Sequence, residues 1–225
     1  MNIFPPNMLR RLQNLEELTI EDCNSVEEVF EVRGENVDEI CDKGSTQLRH
    51  PTLNNLSKLK QVWTSDAKAI LTFQKLRQVK VSKCGTLKSL FPFLVAKHLE
   101  QLESLSINGC ELMEEIVALK EGLESTTKFV FPRITSLSLE LLLELKCFYP
   151  GKYTSEWPSL KVLTICKCDK VKIVASNELS FSNTDGFGPG HCVPVQQALF
   201  CIEKVWICTC FSVNMDMTLS VIVLK

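Results

Sequence analysis

Residues 102–117 read LESLSINGCELMEEIV, and apolar side chains at 105 and 107 alternate there with polar ones at 104, 106 and 108. A period of two is typical of a strand that buries one face and exposes the other. Apolar residues then follow at steps of three, at 110, 113 and 116, which predicts a tight helical or 3₁₀ turn after the strand. The stretch therefore predicts a short strand followed by a compact return segment.

The same pattern recurs along the chain. Residues 4–30 align without gaps on residues 91–117, and ten of the 27 positions are identical. Inside this long repeat lies a shorter unit, L-x-x-L-x-[LIV]-x-x-[CL]-x-x-[LVM]-x-x-[VILF]. Six copies begin at Leu15, Leu48, Leu76, Leu102, Ile134 and Leu160, and a weaker seventh begins at Ile202. The copies start 33, 28, 26, 32, 26 and 42 residues apart, near or somewhat above the spacing of leucine-rich repeats.

Stacking decides the predicted fold, because a single unit of this kind cannot bury its apolar side chains alone. We predict an α/β leucine-rich-repeat solenoid, or horseshoe, with a parallel β-sheet on the concave face. The convex face is predicted to hold short helices, 3₁₀ turns and loops. Apolar residues at helical spacing predict one short helix in residues 4–14 and one in residues 91–101. Trp63 and Tyr149 are predicted to join an aromatic stack on the convex side.

The repeats also set the predicted domain organisation. Residues 1–175 are expected to form one leucine-rich-repeat domain of six repeats. Residues 176–195, rich in Ser, Asn and Gly, are predicted to form a flexible loop. Residues 196–225 are interpreted as either a degenerate seventh repeat or a C-terminal tail. Because residues 1–3 offer no counterpart to the segment before Phe91, we expect an array cut in mid-repeat.

Composition limits the classes of function. The 225 residues carry a net charge of −2, so no overall field favours nucleic acid or a membrane surface. The start resembles no signal peptide and no apolar run approaches membrane length, which predicts a cytoplasmic protein with reduced thiols. The net charge is −8 in residues 1–42, +9 in residues 43–101 and −3 in residues 102–225. This alternation indicates either a polarised docking surface or ordinary solvated faces.

The eleven cysteines raise the question of a metal or catalytic site. Five share one repeat position and are interpreted as structural thiols on the inner side: Cys23, Cys84, Cys110, Cys168 and Cys210. Cys166 and Cys208 are predicted to be outward surface thiols. Their C-x-C spacing does not fit structural zinc, so we predict no metal. None of the three histidines lies in a nucleophile motif and no phosphate-binding loop is present, so we predict no catalytic residue, no cofactor and no enzyme.

The outward strand positions are the candidate partner-binding residues. They are Glu17, Thr19, Glu21, His50, Thr52, Asn54, Gln78, Lys80, Ser82, Ser104, Ser106, Asn108, Ser136, Ser138, Glu140, Val162, Thr164 and Cys166. Along the array this set runs from acidic through basic to hydroxyl-rich. Such a graded surface suits a polypeptide partner, although the same residues are also common on any soluble surface.

Two units carry a family resemblance, residues 73–91 and residues 102–117. They closely resemble the repeats of plant disease-resistance proteins of the coiled-coil nucleotide-binding leucine-rich-repeat class, and the likeness covers about residues 4–175. The form Cys-x-x-Met-Glu-Glu-Ile-Val, at residues 110–117, is fairly specific to that class.

The resemblance implies a non-enzymatic protein-recognition module of intracellular plant immunity. It implies that a pathogen effector or a host protein is the partner, together with the nucleotide-binding domain of a receptor if the chain is part of a longer one. Two alternatives stay open: a leucine-rich-repeat substrate adaptor of a ubiquitin ligase, and a non-signalling truncated paralogue. An F-box-like helical segment would favour the adaptor, and the sequence contains none.

Overall fold

The computed structural model describes residues 2–4, 14–30, 46–63, 73–118, 128–148, 154–175, 179–183, 194–195, 204–208 and 220–222. Most of the helix predicted in residues 4–14 lies outside this part of the chain, as do Tyr149 and Cys210. In chain order the strands are β1 (Asn2–Phe4), β2 (Glu17–Glu21), β3 (Glu28–Phe30), β4 (His50–Asn54), β5 (Gln61–Trp63), β6 (Gln78–Ser82), β7 (Ser89–Pro92), β8 (Ser104–Asn108), β9 (Glu115–Ala118), β10 (Lys128–Val130), β11 (Ser136–Glu140), β12 (Thr154–Glu156), β13 (Val162–Cys166), β14 (Val171–Ala175), β15 (Leu179–Asn183), β16 (Pro194–Val195), β17 (Lys204–Cys208) and β18 (Ser220–Ile222).

The main sheet has eight strands in the order β2-β4-β6-β8-β11-β13-β17-β18. The first seven come one from each repeat, so neighbours from β2 to β17 are successive repeats in the chain. The pairs from β2 to β17 are parallel, and only β18 runs antiparallel to its neighbour. The register follows the repeat, since Ile107 of β8 lies opposite Val81 of β6 and Leu139 of β11. The predicted parallel sheet of stacked repeats is therefore confirmed.

The return segments differ from the prediction, because most of them are strands. β1, β3 and β5 form a three-stranded parallel sheet, and β7 pairs with β9. In the described ranges the one helix is α1 (Phe93–Ala96), which lies inside the helix predicted for residues 91–101 but has only four residues. The strand sequences EVF, QVW and EIVA are rich in β-branched and aromatic residues, which favour extended backbone. In the part of the chain that the structure describes, the helical part of the predicted α/β class is thus nearly absent, and the horseshoe curvature stays a prediction.

One continuous apolar cluster fills the array. It contains the inward residues of the main sheet, such as Ile107 and Leu139, and buried residues of β3, β5, β7 and β9. Aromatic rings stack from repeat to repeat, with centroids 5.5 Å apart for Phe4 and Phe30, 6.2 Å for Phe30 and Trp63, and 5.0 Å for Trp63 and Phe91. This stack confirms the predicted role of Trp63. Each such contact adds roughly 0.5–1.5 kcal/mol beyond area burial.

The C-terminal part contains strands in two segments with predicted roles. β15 pairs antiparallel with β14 and with β16, so residues 179–183 and 194–195 are strands, while the flexible loop over residues 176–195 as a whole stays a prediction. The alternation Leu-Ser-Phe-Ser at 179–182 has the period of a strand. β17 pairs with β13 in the register that a seventh repeat requires, Leu163 opposite Val205 and Ile165 opposite Ile207. This pairing favours a repeat over a tail for residues 204–208, while the domain boundaries remain a prediction.

Candidate partner-binding face

The candidate residues lie together on one side of the main sheet. None of them is buried, whereas their inward neighbours in β4, β6, β8, β11 and β13 are. The strand register arranges them in three rows, which together we call the recognition face. The first row is Glu17, His50, Gln78, Ser104, Ser136 and Val162; the second is Thr19, Thr52, Lys80, Ser106, Ser138 and Thr164; the third is Glu21, Asn54, Ser82, Asn108, Glu140 and Cys166.

Hydrogen bonds within the recognition face concentrate in its third row. The Ser82 hydroxyl donates to Asn54 Oδ1 at 2.8 Å, and Asn108 Nδ2 donates to Glu140 Oε2 at 3.1 Å. Ser138 of the second row donates to the other oxygen of the same carboxylate, at 2.7 Å. These groups are held by one another, so they shape the face more than they offer free hydrogen-bonding atoms.

A shallow groove crosses the first two rows. Its volume is about 300 Å³, and it is lined by Glu17, Thr19, His50, Thr52, Gln78 and Lys80. Glu17 and Lys80 are both exposed, and two strand spacings of about 4.8 Å separate β2 from β6. The groove therefore has an acidic end and a basic end about 10 Å apart. Beyond β6 the first two rows carry mainly hydroxyl side chains, Ser104, Ser106, Ser136, Ser138 and Thr164.

A left-handed residue ends every main-sheet strand from β2 to β13. These residues have φ between 53° and 66°, and they are Asp22, Asn55, Lys83, Gly109, Leu141 and Lys167. From Asp22 to Leu141, the backbone N–H donates to the last strand carbonyl of the next repeat, for example from Gly109 to Glu140 at 2.9 Å. Sequence reasoning missed this feature because the side chains share no chemistry. Their only common signal is their place directly before the Cys or Leu of each repeat.

The repeat cysteines lie just behind these turns. Cys84, Cys110 and Cys168 are buried, and each thiol donates to the carbonyl two residues earlier, at 3.3, 3.8 and 3.5 Å. This confirms the prediction of structural thiols for these three. Cys23 corrects it, because its side chain is exposed: β2 is the edge strand of the main sheet, and no described strand covers it on that side. Cys166 is half-buried rather than fully on the surface.

Burial makes two of the inner thiols poor nucleophiles. It raises the pKa of the Cys168 thiol to about 11. The hydrogen bond with Cys84, together with burial, raises the pKa of Cys110 above the usual thiol range. Since only a thiolate is an effective nucleophile or metal ligand, neither group suits catalysis at neutral pH. Among the described residues, no group of three or more His, Cys, Asp or Glu side chains could hold a metal ion.

Comparisons with known proteins bear on the family. Residues 1–111 match the family model described as plant disease resistance protein RPS2-like, leucine-rich repeats. Comparison with curated proteins and comparison with solved structures return no match. In the described part of the chain, no helix is both long enough and apolar enough to span a membrane. The match confirms the resemblance predicted from the repeats: residues 1–111 are similar to the leucine-rich repeats of the RPS2-like plant disease resistance proteins.

Proposed function

We propose that the chain is a non-enzymatic protein-recognition module of plant defence and that it binds its partner through the recognition face. The observation that carries the proposal is one continuous, unburied polar face assembled from six successive repeats. Repeat arrays characteristically bind proteins through extended surfaces of this kind. The family match over residues 1–111 supports a role in disease resistance.

The proposed partner is a polypeptide in the cytoplasm. Following the family resemblance, we infer a pathogen effector or a host protein, or the nucleotide-binding domain of a receptor if the chain is part of a longer one. The first and second rows supply the partner contacts, because much of the third row is engaged in its own hydrogen bonds. A partner that places a basic group over Glu17 and an acidic group over Lys80 matches the groove in charge.

A charge-swap variant tests this function without changing net charge. Glu17→Lys combined with Lys80→Glu inverts the polarity of the groove and leaves the inward core residues untouched. The matched control, Glu27→Lys with Lys60→Glu, inverts an exposed ion pair that lies outside the recognition face. Because rim charges mainly govern association, we expect the groove variant to lose the captured partner and the control to keep it.

The measurement is affinity capture from plant cytosol with each purified chain, followed by quantitative mass spectrometry. A partner recovered with the parent and the control, but reduced at least tenfold with the groove variant, supports the proposal. The same proteins recovered equally with all three chains would contradict it. Circular dichroism and thermal melting of each chain verify that the fold is intact.

A further inference from the structure

A second cleft lies outside the recognition face, beside the beginnings of β4, β6 and β8. Its volume is about 410 Å³, and its lining includes Arg49, Lys75, Arg77, His98, Glu100 and Gln101. None of these residues belongs to the predicted partner-binding set. The cleft gathers three of the eleven cations in the segment that nets +9, residues 43–101.

Two arginines occupy the same position in consecutive repeats. The Arg77 backbone N–H donates to the Arg49 carbonyl at 2.9 Å, so the two side chains leave neighbouring strands about 4.8 Å apart. Arg49 Nη1 lies 3.5 Å from Glu16, one repeat before it, and Arg77 Nη1 lies 3.3 Å from Glu103, one repeat after it. Arg49 therefore pairs with the preceding repeat, and Arg77 pairs with the following one. Each ion pair engages a single Nη1 atom of a guanidinium group that has five N–H donors.

The third cation of the cleft has a neutral partner. Lys75 Nζ donates to the amide oxygen Oε1 of Gln47 at 2.8 Å. The side chains of Arg49 and Arg77 are 35% and 42% exposed, so a ligand can reach both. Partial burial also strengthens their interaction with an anion relative to full solvent exposure. Glu100, which is exposed, is the acidic residue of the lining.

We propose that this cleft binds a phosphate monoester. Such a group carries a charge of about −1.5 to −2 at pH 7 and has three terminal oxygens. It can therefore accept hydrogen bonds from both guanidinium groups and from the lysine ammonium at once. A carboxylate is a poorer match, because it has only two oxygens and a single charge. The phosphate is carried either by a phosphorylated side chain of a protein or by a small molecule. Because the cleft lies apart from the recognition face, this proposal is independent of the proposed function.

Calorimetric titration of the full chain at about 50 mM salt tests the proposal, since screening is modest there. The probes are phenyl phosphate, a phosphoserine peptide and the same peptide without phosphate. We expect the two phosphorylated probes to bind and the third not to bind. Arg49→Gln with Arg77→Gln is expected to weaken both at least tenfold. The control, Lys60→Gln with Lys88→Gln, removes two cations from the same two repeats but beside β5 and β7, and should change binding less than twofold.

Several results would overturn the proposal. One is the absence of any phenyl phosphate binding to the parent chain; another is equal weakening in the control, which would indicate general charge attraction. Should the double arginine variant melt early, Lys75→Gln provides an independent test, because it leaves both arginines in place and its hydrogen-bond partner Gln47 is neutral. We expect Lys75→Gln to weaken phenyl phosphate binding at least threefold, and unchanged affinity would overturn the site.

Tighter binding of the phosphopeptide than of phenyl phosphate assigns the phosphate to a protein, whereas equal binding of the two probes assigns it to a small molecule.

Discussion

The left-handed residue at the end of each main-sheet strand holds the repeats in a fixed position relative to one another. Five of the six such residues are not glycine. An L-residue in this conformation costs roughly 1–2 kcal/mol, so five of the six turns carry backbone strain. The N–H of the left-handed residue is bonded to the next repeat in five of the six turns, so cross-repeat hydrogen bonds help to offset the strain.

Gly109→Ala tests this conformational cost. Gly109 has φ of +66°, and an added Cβ would lie 3.7 Å from the nearest atoms of Lys83, which is ordinary contact. The substitution therefore adds backbone strain without a clash, and we expect it to lower the free energy of unfolding by about 1 kcal/mol. Urea denaturation followed by circular dichroism measures the difference.

Gly85→Ala is the matched control in the preceding repeat. A Cβ added at this position would have no neighbouring atom within 4 Å, and the φ of Gly85 lies outside the left-handed region. We expect this change to be neutral or to stabilise by about 0.4–1 kcal/mol, since alanine restricts the unfolded chain. Equal destabilisation by both substitutions would contradict the conformational explanation.

At the level of the strand, the period-two pattern was sufficient to predict β8, β11 and β13 with their inward and outward residues. Ile107 in β8 is fully buried and its neighbour Ser106 is not. Ile107→Asp brings an unpaired charge into the core and should cost at least about 4 kcal/mol, enough to unfold the surrounding repeats. Ser106→Asp places the same charge on the recognition face and should change stability by about 0.5 kcal/mol or less. Thermal melting of the two variants compares them directly, and similar melting would show that the register is wrong.

The return strands were less predictable than the main sheet. Apolar residues at steps of three, as in Val26 and Val29, fit a helical turn in the sequence. In the structure Val29 and Phe30 lie in β3, whose backbone pairs with β5 in the next repeat. That pairing depends on the neighbour being in place, which no single repeat reveals. The recognition face could be identified from the sequence because it needs only alternation, whereas its internal hydrogen bonds depend on the register.

Ion pairs link one return segment to the next, and Glu114 joins two of them. Its carboxylate lies 2.8 Å from Lys146 Nζ and 3.7 Å from Lys88 Nζ. The hydrogen bond from Lys146, with the charges of both lysines, lowers the pKa of Glu114 below its usual 4.5. The stabilisation is therefore present above pH 4.5 and disappears as the pH falls through the lowered pKa of the folded state.

The effect of Glu114→Gln on stability should then depend on pH. At pH 7 we expect the substitution to lower the free energy of unfolding by about 0.2–1 kcal/mol, the range measured for exposed ion pairs, and by less at high salt. Below the lowered pKa the parent carboxyl is protonated, so the parent and variant should converge in stability. Denaturation across the pH range measures the difference, with Glu111→Gln, an exposed carboxylate of the same repeat, as the control. A difference that is constant with pH would rule out the ion pair as its cause.

Across the whole array, charge alternation reflects contacts between successive repeats. The acidic first segment and the basic second one meet in the pairs Glu16–Arg49 and Glu27–Lys60. Part of the −8 and +9 pattern is thus neutralised inside the molecule. The second cleft could not be predicted from the sequence, because its lining comes from residues 49–101 and depends on how three repeats align. Only the excess of positive charge in that segment is visible in the sequence.

Trp63 couples the repeats on either side of it, and its removal tests how the array unfolds. The buried ring lies 6.2 Å from Phe30, 5.8 Å from Phe73 and 5.0 Å from Phe91, so it packs on both neighbouring repeats. Trp63→Ala should cost about 3–5 kcal/mol. Because repeat arrays are held together by nearest-neighbour interfaces, we also expect the substitution to divide the single unfolding transition into two and to lower the apparent m value.

Hydrogen exchange of the Trp63→Ala variant should then show β2 and β3 opening while β8 and β11 stay protected. The control Trp157→Ala, which loses contacts with Phe131 and Phe148 instead, should leave β2 and β3 protected. Uniform loss of protection in both variants would mean that the described repeats unfold as a single unit.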